Sequence, residues 1–212
     1  MVPADPEQEH PGRPGPGRAA AVLTAVLAAL ALAGTAASFA RNTLWASEIV
    51  LWEDTVRKNP SKPRGYYNLG TVYERARRPD DAMKTYEAAV RLRPDYAPAY
   101  NNLGVLYKAK GWTDRAIEQY ETARRLDPSI PQTYNNLGNA VLAKGDVAGA
   151  LEHYRTAIRI RPGYADAHYN LGLTYYEEGR YDLALPEIEL TLRLAPGHVE
   201  AQKVLKGLKG IR

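Results

Sequence analysis

The sequence repeats a short motif at a constant interval of 34 residues. The pentapeptide YNNLG occurs at residues 100–104 and again at 134–138, and the near copies YYNLG and HYNLG begin at Tyr66 and His168. A period of this length is typical of arrays in which each unit is a helix–turn–helix. We therefore predict an all-α solenoid of four units, at residues 63–96, 97–130, 131–164 and 165–198.

Each unit carries the same residue types when its positions are numbered from 1 to 34. Apolar or aromatic residues at positions 4, 7 and 11 are spaced, with few exceptions, to share one face of a first helix. Gly at position 8 and Ala at position 20 let the first and second helices approach closely, and Pro at position 32 ends the unit because Pro cannot continue a helix. Position 15 is Gly in three units, which suits a left-handed helix end, but it is Arg77 in the first unit, where we expect a different turn.

This pattern resembles the tetratricopeptide repeat (TPR) family closely over residues 63–198. The resemblance implies a right-handed superhelix whose first helices line a concave groove, and a groove that binds a protein or peptide segment. In that family positions 2, 5, 6, 9, 12 and 13 build the groove. The groove residues predicted in this way are Asn68, Asn102, Asn136 and Asn170 at position 6, Tyr67, Asn101, Asn135 and Tyr169 at position 5, and Thr71, Val105, Asn139 and Leu173 at position 9.

The four position-6 residues, which we call the asparagine row, have two possible roles. An Asn amide offers two hydrogen-bond donors and an acceptor, which suits the repeating N–H and C=O groups of an extended peptide. Alternatively, Asn at this position stabilises helix termini or neighbouring turns. The sequence leaves both interpretations open.

The N-terminal part of the chain has a different composition. Residues 1–18 are crowded with Pro and Gly and are predicted to form a disordered tail. Residues 19–40 carry no charge, and as a helix they would span about 33 Å, enough for a bilayer core. We predict that Ala19–Ala40 is a transmembrane helix or signal anchor; the alternatives are a signal peptide cleaved near Ala40 and a buried helix of a soluble protein.

Charge bias sets the expected location of the array. Arg13 and Arg18 precede the uncharged segment and Arg41 follows it, which favours an N-terminus in the cytoplasm. The chain is then a single-pass membrane protein, most simply of a bacterial inner membrane, with the repeats on the extracytoplasmic side. Cleavage near Ala40 would instead give a secreted or periplasmic protein.

Both ends of the array carry candidate caps. Residues 41–62 are predicted to be a linker and a partial repeat whose helix covers the first unit, and residues 199–212 a C-terminal capping helix. The joint RNTLWASEIVLWEDTVRKNP, residues 41–60, also resembles the joint between membrane helix and TPR array in bacterial transmembrane–TPR proteins that are similar to O-mannosyltransferases. That second resemblance implies an accessory subunit or split fragment of a membrane glycosyltransferase.

Composition argues against several other functions. The chain has no Cys, and its net charge of +4 comes from a short basic tail rather than a basic face, so we expect no thiolate chemistry and no nucleic-acid partner. The four His show no ligand spacing, and neither a phosphate loop nor a nucleophile motif is present. We expect no catalysis, cofactor, metal or small-molecule substrate.

The function that the sequence favours is a membrane-tethered, non-enzymatic TPR scaffold that binds a protein or peptide segment in its concave groove. The alternatives are the glycosyltransferase subunit and a secreted soluble TPR protein.

Overall fold

A computed structural model describes residues 16–211, of which residues 16–22, 24, 36–42, 44, 45 and 211 are described by their backbone alone. This part of the chain forms two compact units, one ending at Glu48 and one beginning at Ile49. It contains ten α-helices and no β-strand. The helices are α1 (Pro16–Lys58), α2 (Pro63–Arg75), α3 (Pro79–Leu92), α4 (Ala97–Ala109), α5 (Thr113–Leu126), α6 (Pro131–Leu142), α7 (Val147–Ile160), α8 (Ala165–Glu177), α9 (Tyr181–Leu194) and α10 (Val199–Ile211).

The helices from α2 onward stack as a TPR-type solenoid. The first helices of the repeats, α2, α4, α6 and α8, are called A helices, and the second helices, α3, α5, α7 and α9, are called B helices. Each A helix packs on the B helix of its own repeat, and each B helix also packs on the next A helix. Successive A helices contact one another as well, α4 with α6 and α6 with α8, so the A helices line the inner surface of the stack.

Position 8 is Gly because a B-helix side chain, a tyrosine ring in repeats 1 to 3, packs directly against it. A Cβ atom added to the A-helix glycine of repeats 1 to 3 would lie 2.5 Å from the Cε1 atom of a tyrosine on the B helix. Those rings are at most 1% exposed, so they have little room to move. Repeat 4 has Ile188 in place of the ring, and the gap is wider, at 3.0 Å. The pairs are Gly70 with Tyr86, Gly104 with Tyr120, Gly138 with Tyr154, and Gly172 with Ile188.

Gly104→Ala tests this packing. Ala favours a helix over Gly by about 1 kcal/mol, but its methyl group would push into the Tyr120 ring, and overpacking of this kind costs about 1–3 kcal/mol. We expect a net loss of stability in urea denaturation. Gly172→Ala is the matched control and should lose less, because a Cβ atom added there would lie 3.0 Å from its nearest neighbours, Glu187 Cβ and Ile188 Cγ1 and Cδ1, rather than 2.5 Å from a ring atom. If Gly104→Ala were as stable as the wild type, the rings would not set the distance between the helices.

The turn between the A and B helices has the same geometry in all four repeats. Position 15 has a positive φ throughout: 58° at Arg77, 77° at Gly111, 86° at Gly145 and 71° at Gly179. In each repeat the next amide donates to the carbonyl five residues earlier, as in Arg78 N to Tyr73 O at 2.8 Å and Trp112 N to Tyr107 O at 2.9 Å. This is the 6→1 bond of a Schellman helix end. The expectation of a different first turn was wrong, because packing of α2 on α3 requires the same chain reversal whichever residue occupies position 15.

Arg77→Gly should therefore stabilise the protein. An L-residue in the left-handed region costs about 1–2 kcal/mol, which Gly avoids at some entropic cost in the unfolded chain. We expect a net gain of about 0.5–1 kcal/mol in the free energy of unfolding. The reverse substitution at the matching position of repeat 2, Gly111→Arg, should lose about 1 kcal/mol. A loss on Arg77→Gly would mean that the Arg77 side chain makes a stabilising contact.

The last turns of α1 cover the first repeat. Ile49 is 8% exposed, and Trp52 and Val56 pack on the cluster that contains Leu69 and Tyr73. The Tyr73 hydroxyl donates to Glu53 Oε1 at 2.6 Å. Burial, and then this bond to a carboxylate, raise the pKa of Tyr73 to about 12, so the hydroxyl remains a donor at neutral pH.

At the other end of the array, α10 packs on α8 and α9. It buries Ala201 and Leu208 and exposes its three lysines, Lys203, Lys206 and Lys209. A terminal helix with one buried and one charged face gives the last repeat a neighbour without extending the apolar surface.

The predicted membrane segment belongs to the unit that ends at Glu48. Residues 1–15 of the predicted tail lie outside the described residues, and α1 begins at Pro16. Within residues 19–40 the larger apolar side chains that are described are 49–71% exposed; they are Leu23, Val26, Leu27, Leu30 and Leu32. A search of the described residues finds no helix with the length and apolar character needed to span a bilayer. The transmembrane helix remains a prediction.

Candidate functional site

The asparagine row links neighbouring repeats. Asn136 on α6 donates through Nδ2 to Oδ1 of Asn101 on α4 at 3.2 Å, and Asn170 on α8 donates in the same way to Asn135 on α6 at 2.9 Å. The residue at position 6 thus bonds position 5 of the preceding repeat. Asn135 is only 5% exposed, so this bond satisfies an acceptor that water hardly reaches.

The two tyrosines at position 5 interrupt this pairing. Tyr67 in repeat 1 offers no amide, and Asn102 donates instead to the Tyr86 hydroxyl at 3.1 Å. That hydroxyl in turn donates to the Glu74 carboxylate. Tyr169 in repeat 4 stacks against His198, with ring centroids 4.4 Å apart. Asn–Asn links therefore join repeats 2, 3 and 4. A hydrogen bond to a tyrosine hydroxyl replaces them at the first end, and a contact between two rings at the last.

Asn68 differs from the other three residues of the row. No A helix of a preceding repeat supplies a position-5 partner, and its side chain makes no hydrogen bond within the described residues. It instead helps to line a cavity of about 310 Å³ next to the end of α1. The other residues that line this cavity are Trp52, Thr55, Asn59, Lys62, Arg64 and Gly65.

The residues predicted at position 9 divide into two kinds. Thr71 donates its hydroxyl to the carbonyl of Asn68 at 2.7 Å, and Asn139 accepts from the Tyr154 hydroxyl at 2.7 Å, so both stabilise their own repeat. Val105 is 37% exposed and Leu173 is half-buried, and neither is covered by another helix as a core residue would be. Together with the asparagine row and position 5, these side chains form a surface that we call the A-helix face.

Position 12, which the resemblance assigns to the groove, adds two ionisable groups, Glu74 and Lys108. Burial lowers the pKa of Lys108, which has no acidic partner within the described residues. Burial raises the pKa of Glu74, an effect partly offset by the bond from the Tyr86 hydroxyl. Burial, then the same bond, keep the pKa of Tyr86 well above its usual range. Only the fold shows that the side chains of Glu74 and Lys108 are half-buried.

The buried histidine of repeat 4 has two structural partners. His168, which replaces an aromatic residue of the core, is 5% exposed, and its ring nitrogens lie 2.6 Å from Glu187 Oε2 and 2.9 Å from the Pro162 carbonyl. No three His, Asp or Glu side chains in the described part of the chain cluster as a metal site would. A larger cleft, of about 670 Å³, lies at the A–B turn of repeat 2 beside Trp112, apart from the predicted groove residues.

Comparison with known proteins identifies the class of this fold. Sequence models of the TPR family match the chain, one described as TPR repeat at residues 79–111, 106–145 and 138–179, and one described as tetratricopeptide repeat at residues 165–198. Together they span more than half of the chain, so the protein belongs to the tetratricopeptide repeat family. No curated protein sequence matches it significantly.

Several solved structures share this fold. MamA is 24% identical with a TM-score of 0.64, and the match covers 74% of this chain and 91% of MamA. YrrB, described as a TPR protein with an unusual peptide-binding site, is 21% identical with a TM-score of 0.62 over 77% of this chain and 84% of its own. TTC0263, a thermophilic TPR protein from Thermus thermophilus, is 19% identical with a TM-score of 0.64 over 77% of this chain and 90% of its own.

Alanine substitutions should separate the two roles of the row. Asn170→Ala leaves the buried Asn135 amide without its donor, and we expect a loss of about 1–2 kcal/mol in the free energy of unfolding. Asn68→Ala removes no internal bond of the described residues and should change stability by less than about 0.5 kcal/mol. Urea denaturation of both variants measures the difference. Equal effects at the two positions would show that the inter-repeat bonds do not contribute to stability.

Proposed function

We propose that this protein is a scaffold that binds an extended segment of another protein along its A-helix face. The proposal rests on side-chain amide groups of the asparagine row that form no hydrogen bond among the described residues. There the Asn68 amide has no internal partner, and Oδ1 of Asn136 and Asn170 accepts no bond while the Nδ2 of the same side chains links the repeats. These groups lie in repeats 1, 3 and 4, where they could bond the backbone of an extended chain. In repeat 2 the oxygen of Asn102 already accepts from Asn101 Nδ2 at 3.3 Å.

Two structural relatives give this proposal support by analogy. YrrB is described as having a peptide-binding site. The first TPR of Spaghetti (RPAP3), which is 23% identical with a TM-score of 0.53 over 54% of this chain and 91% of its own, was solved bound to the HSP90 peptide SRMEEVD. Similarity at this level supports a common fold.

The proposal is tested by selecting ligands from a random peptide library with the full-length protein. Val105→Lys places a long charged side chain on the A-helix face and should weaken the selected peptides by about tenfold or more, as central interface substitutions do. Leu126→Lys is the matched control, because Leu126 at the end of a B helix is 38% exposed against 37% for Val105. Fluorescence anisotropy with the selected peptides gives the dissociation constants. Equal weakening by both variants, or no selected peptide at all, would contradict the proposal.

We also propose that residues 19–40 tether the protein to a membrane. Support comes from the absence of charge in this segment and from the exposure of its described leucines and valine. Because these side chains make no core of their own, a lipid environment is the simplest means of removing them from water.

Membrane fractionation with a carbonate wash tests the tether. An Arg at the centre of a bilayer helix costs about 2.5–3.5 kcal/mol, so the double substitution Leu27→Arg and Leu30→Arg should release the protein into the soluble fraction. Val50→Arg with Leu51→Arg is the control, since these residues are similarly exposed, at 64% and 62%, but lie outside the segment. A wild-type protein that washes off would contradict the tether. An intact mass starting near Arg41 would show cleavage instead.

The accessory role beside a membrane glycosyltransferase rests on the sequence of residues 41–60. Affinity purification from native membranes in detergent tests it. Recovery of a multi-spanning transferase with the wild type, and its loss with Val105→Lys, would make that enzyme the partner of the A-helix face.

A further inference from the structure

We infer that the A-helix face selects a segment with a fixed charge order, its acidic end over repeats 1 and 2 and its basic end over repeat 4. This inference rests on the proposed function and adds the chemistry and direction of the ligand. It follows from the distribution of charged side chains along the A helices and from the lack of ionic partners at four of them.

The charges of the A helices change sign along the stack. At the groove positions 2, 5, 6, 9, 12 and 13, α2 and α4 carry three basic residues and one acidic residue: Arg64, Arg75, Lys108 and Glu74. At the same positions α8 carries Asp166 and Glu177 and neither Lys nor Arg. Between them, α6 carries no Asp, Glu, Lys or Arg. The face is therefore basic at one end, neutral in the middle and acidic at the other end.

Four charges at the two ends are not neutralised internally. Arg64, Lys108, Asp166 and Glu177 form no ion pair within the described residues. Elsewhere in the solenoid, by contrast, charges of neighbouring repeats pair across the A–B turns, as in Lys110 with Asp80 at 2.6 Å and Lys144 with Asp114. The ion pairs at the turns show that neighbouring repeats can neutralise each other's charges. The four charges of the A-helix face have no such pairs within the described residues, so they are available to a ligand.

Among these four charges, Lys108 gives the best support for a charged ligand. It lies at position 12 of repeat 2, half-buried, and burial disfavours its charged form. A carboxylate brought beside it by a bound segment would restore the favourable interaction that water no longer supplies. Because the pair would be partly shielded from solvent, it would also be screened less by salt than a pair between exposed residues.

Helix spacing gives the separation of the two charges. Packed helices lie about 8–10 Å apart, so the two steps from the A helix of repeat 2 to that of repeat 4 cover roughly 16–20 Å. An extended chain advances about 3.3–3.6 Å per residue. The acidic and basic residues of a fitting segment should therefore be about five or six residues apart. The residues between them face α6, where Asn136 and the other amides can bond their backbone.

The experiment uses the full-length protein and a random 12-residue peptide library as the probe. Wild-type selections should be enriched in peptides that carry an acidic and a basic residue in one constant order, about five or six residues apart. A synthetic copy of a selected peptide, and a copy with every charge reversed, are then measured against the wild type. We expect the reversed peptide to bind at least tenfold more weakly.

A charge swap on the protein tests the direction. Lys108→Glu with Glu177→Lys leaves the net charge unchanged and should invert the preference between the two synthetic peptides. Lys84→Glu with Glu152→Lys is the control, since both residues are exposed at position 22 of a B helix, in repeats 1 and 3, and it should leave the preference as in the wild type. Circular dichroism confirms that each variant is folded.

The outcomes separate this inference from the proposed function. Selected peptides that lose affinity with Val105→Lys but show no charge order, or that bind equally after charge reversal, would overturn the charge order and leave segment binding intact. A wild type that selects no peptide would remove both. The peptide reversal needs no protein variant, so the inference stays testable even if the charge swap prevents folding.

Discussion

The close contact between the position-8 glycine and the B-helix ring is the interaction on which the rest of the solenoid depends. With no Cβ between them, Gly104 and the Tyr120 ring let α4 and α5 pack at a distance that a larger side chain would not allow. That distance fixes where the short A–B turn must reverse the chain, and the turn imposes a positive φ on position 15 even where the residue is Arg77. Because the glycine recurs every 34 residues, with a tyrosine ring against it in repeats 1 to 3 and Ile188 in repeat 4, successive repeats present similar surfaces and can stack on one another.

The asparagine row shows how stability and recognition can share one side chain. The bond from Asn136 to Asn101 uses one N–H of an amide that has two, and the carbonyl oxygen of Asn136 meets no donor among the described residues. Holding the amide in place by one bond fixes the direction of its remaining groups. Under the proposed function, a ligand would meet acceptors that are already oriented, and less entropy would be lost on binding than with mobile side chains. The bonds between repeats are a structural role that neither interpretation of the sequence included, and binding of a ligand by the same side chains stays a prediction.

The charged residues at the A–B turns differ from those on the A-helix face. Those at the A–B turns form pairs between neighbouring repeats, and pairs of exposed charges contribute only modestly to stability. On the A-helix face, Arg64, Lys108, Asp166 and Glu177 form no ion pair within the described residues, and burial disfavours the charged form of Lys108. An acidic partner would stabilise this half-buried cation, so stability alone does not explain why Lys108 lacks one among the described residues. Its position is readily understood if the face is complementary to a ligand.

The sequence by itself determined the repeat, its length and the helical type, because period, glycine, alanine and proline positions follow from local chemistry that every repeat obeys. It also determined which residues belong to the A-helix face, since that assignment depends only on position within the 34-residue unit. It could not show that Asn101 and Asn135 serve as acceptors for the row, because those partners lie 35 residues away and meet only when the repeats stack. Nor could it show that Arg77 adopts a left-handed turn or that Lys108 is half-buried without an acidic partner among the described residues. Backbone conformation and burial at these positions are imposed by neighbouring helices, and only the tertiary structure decides them.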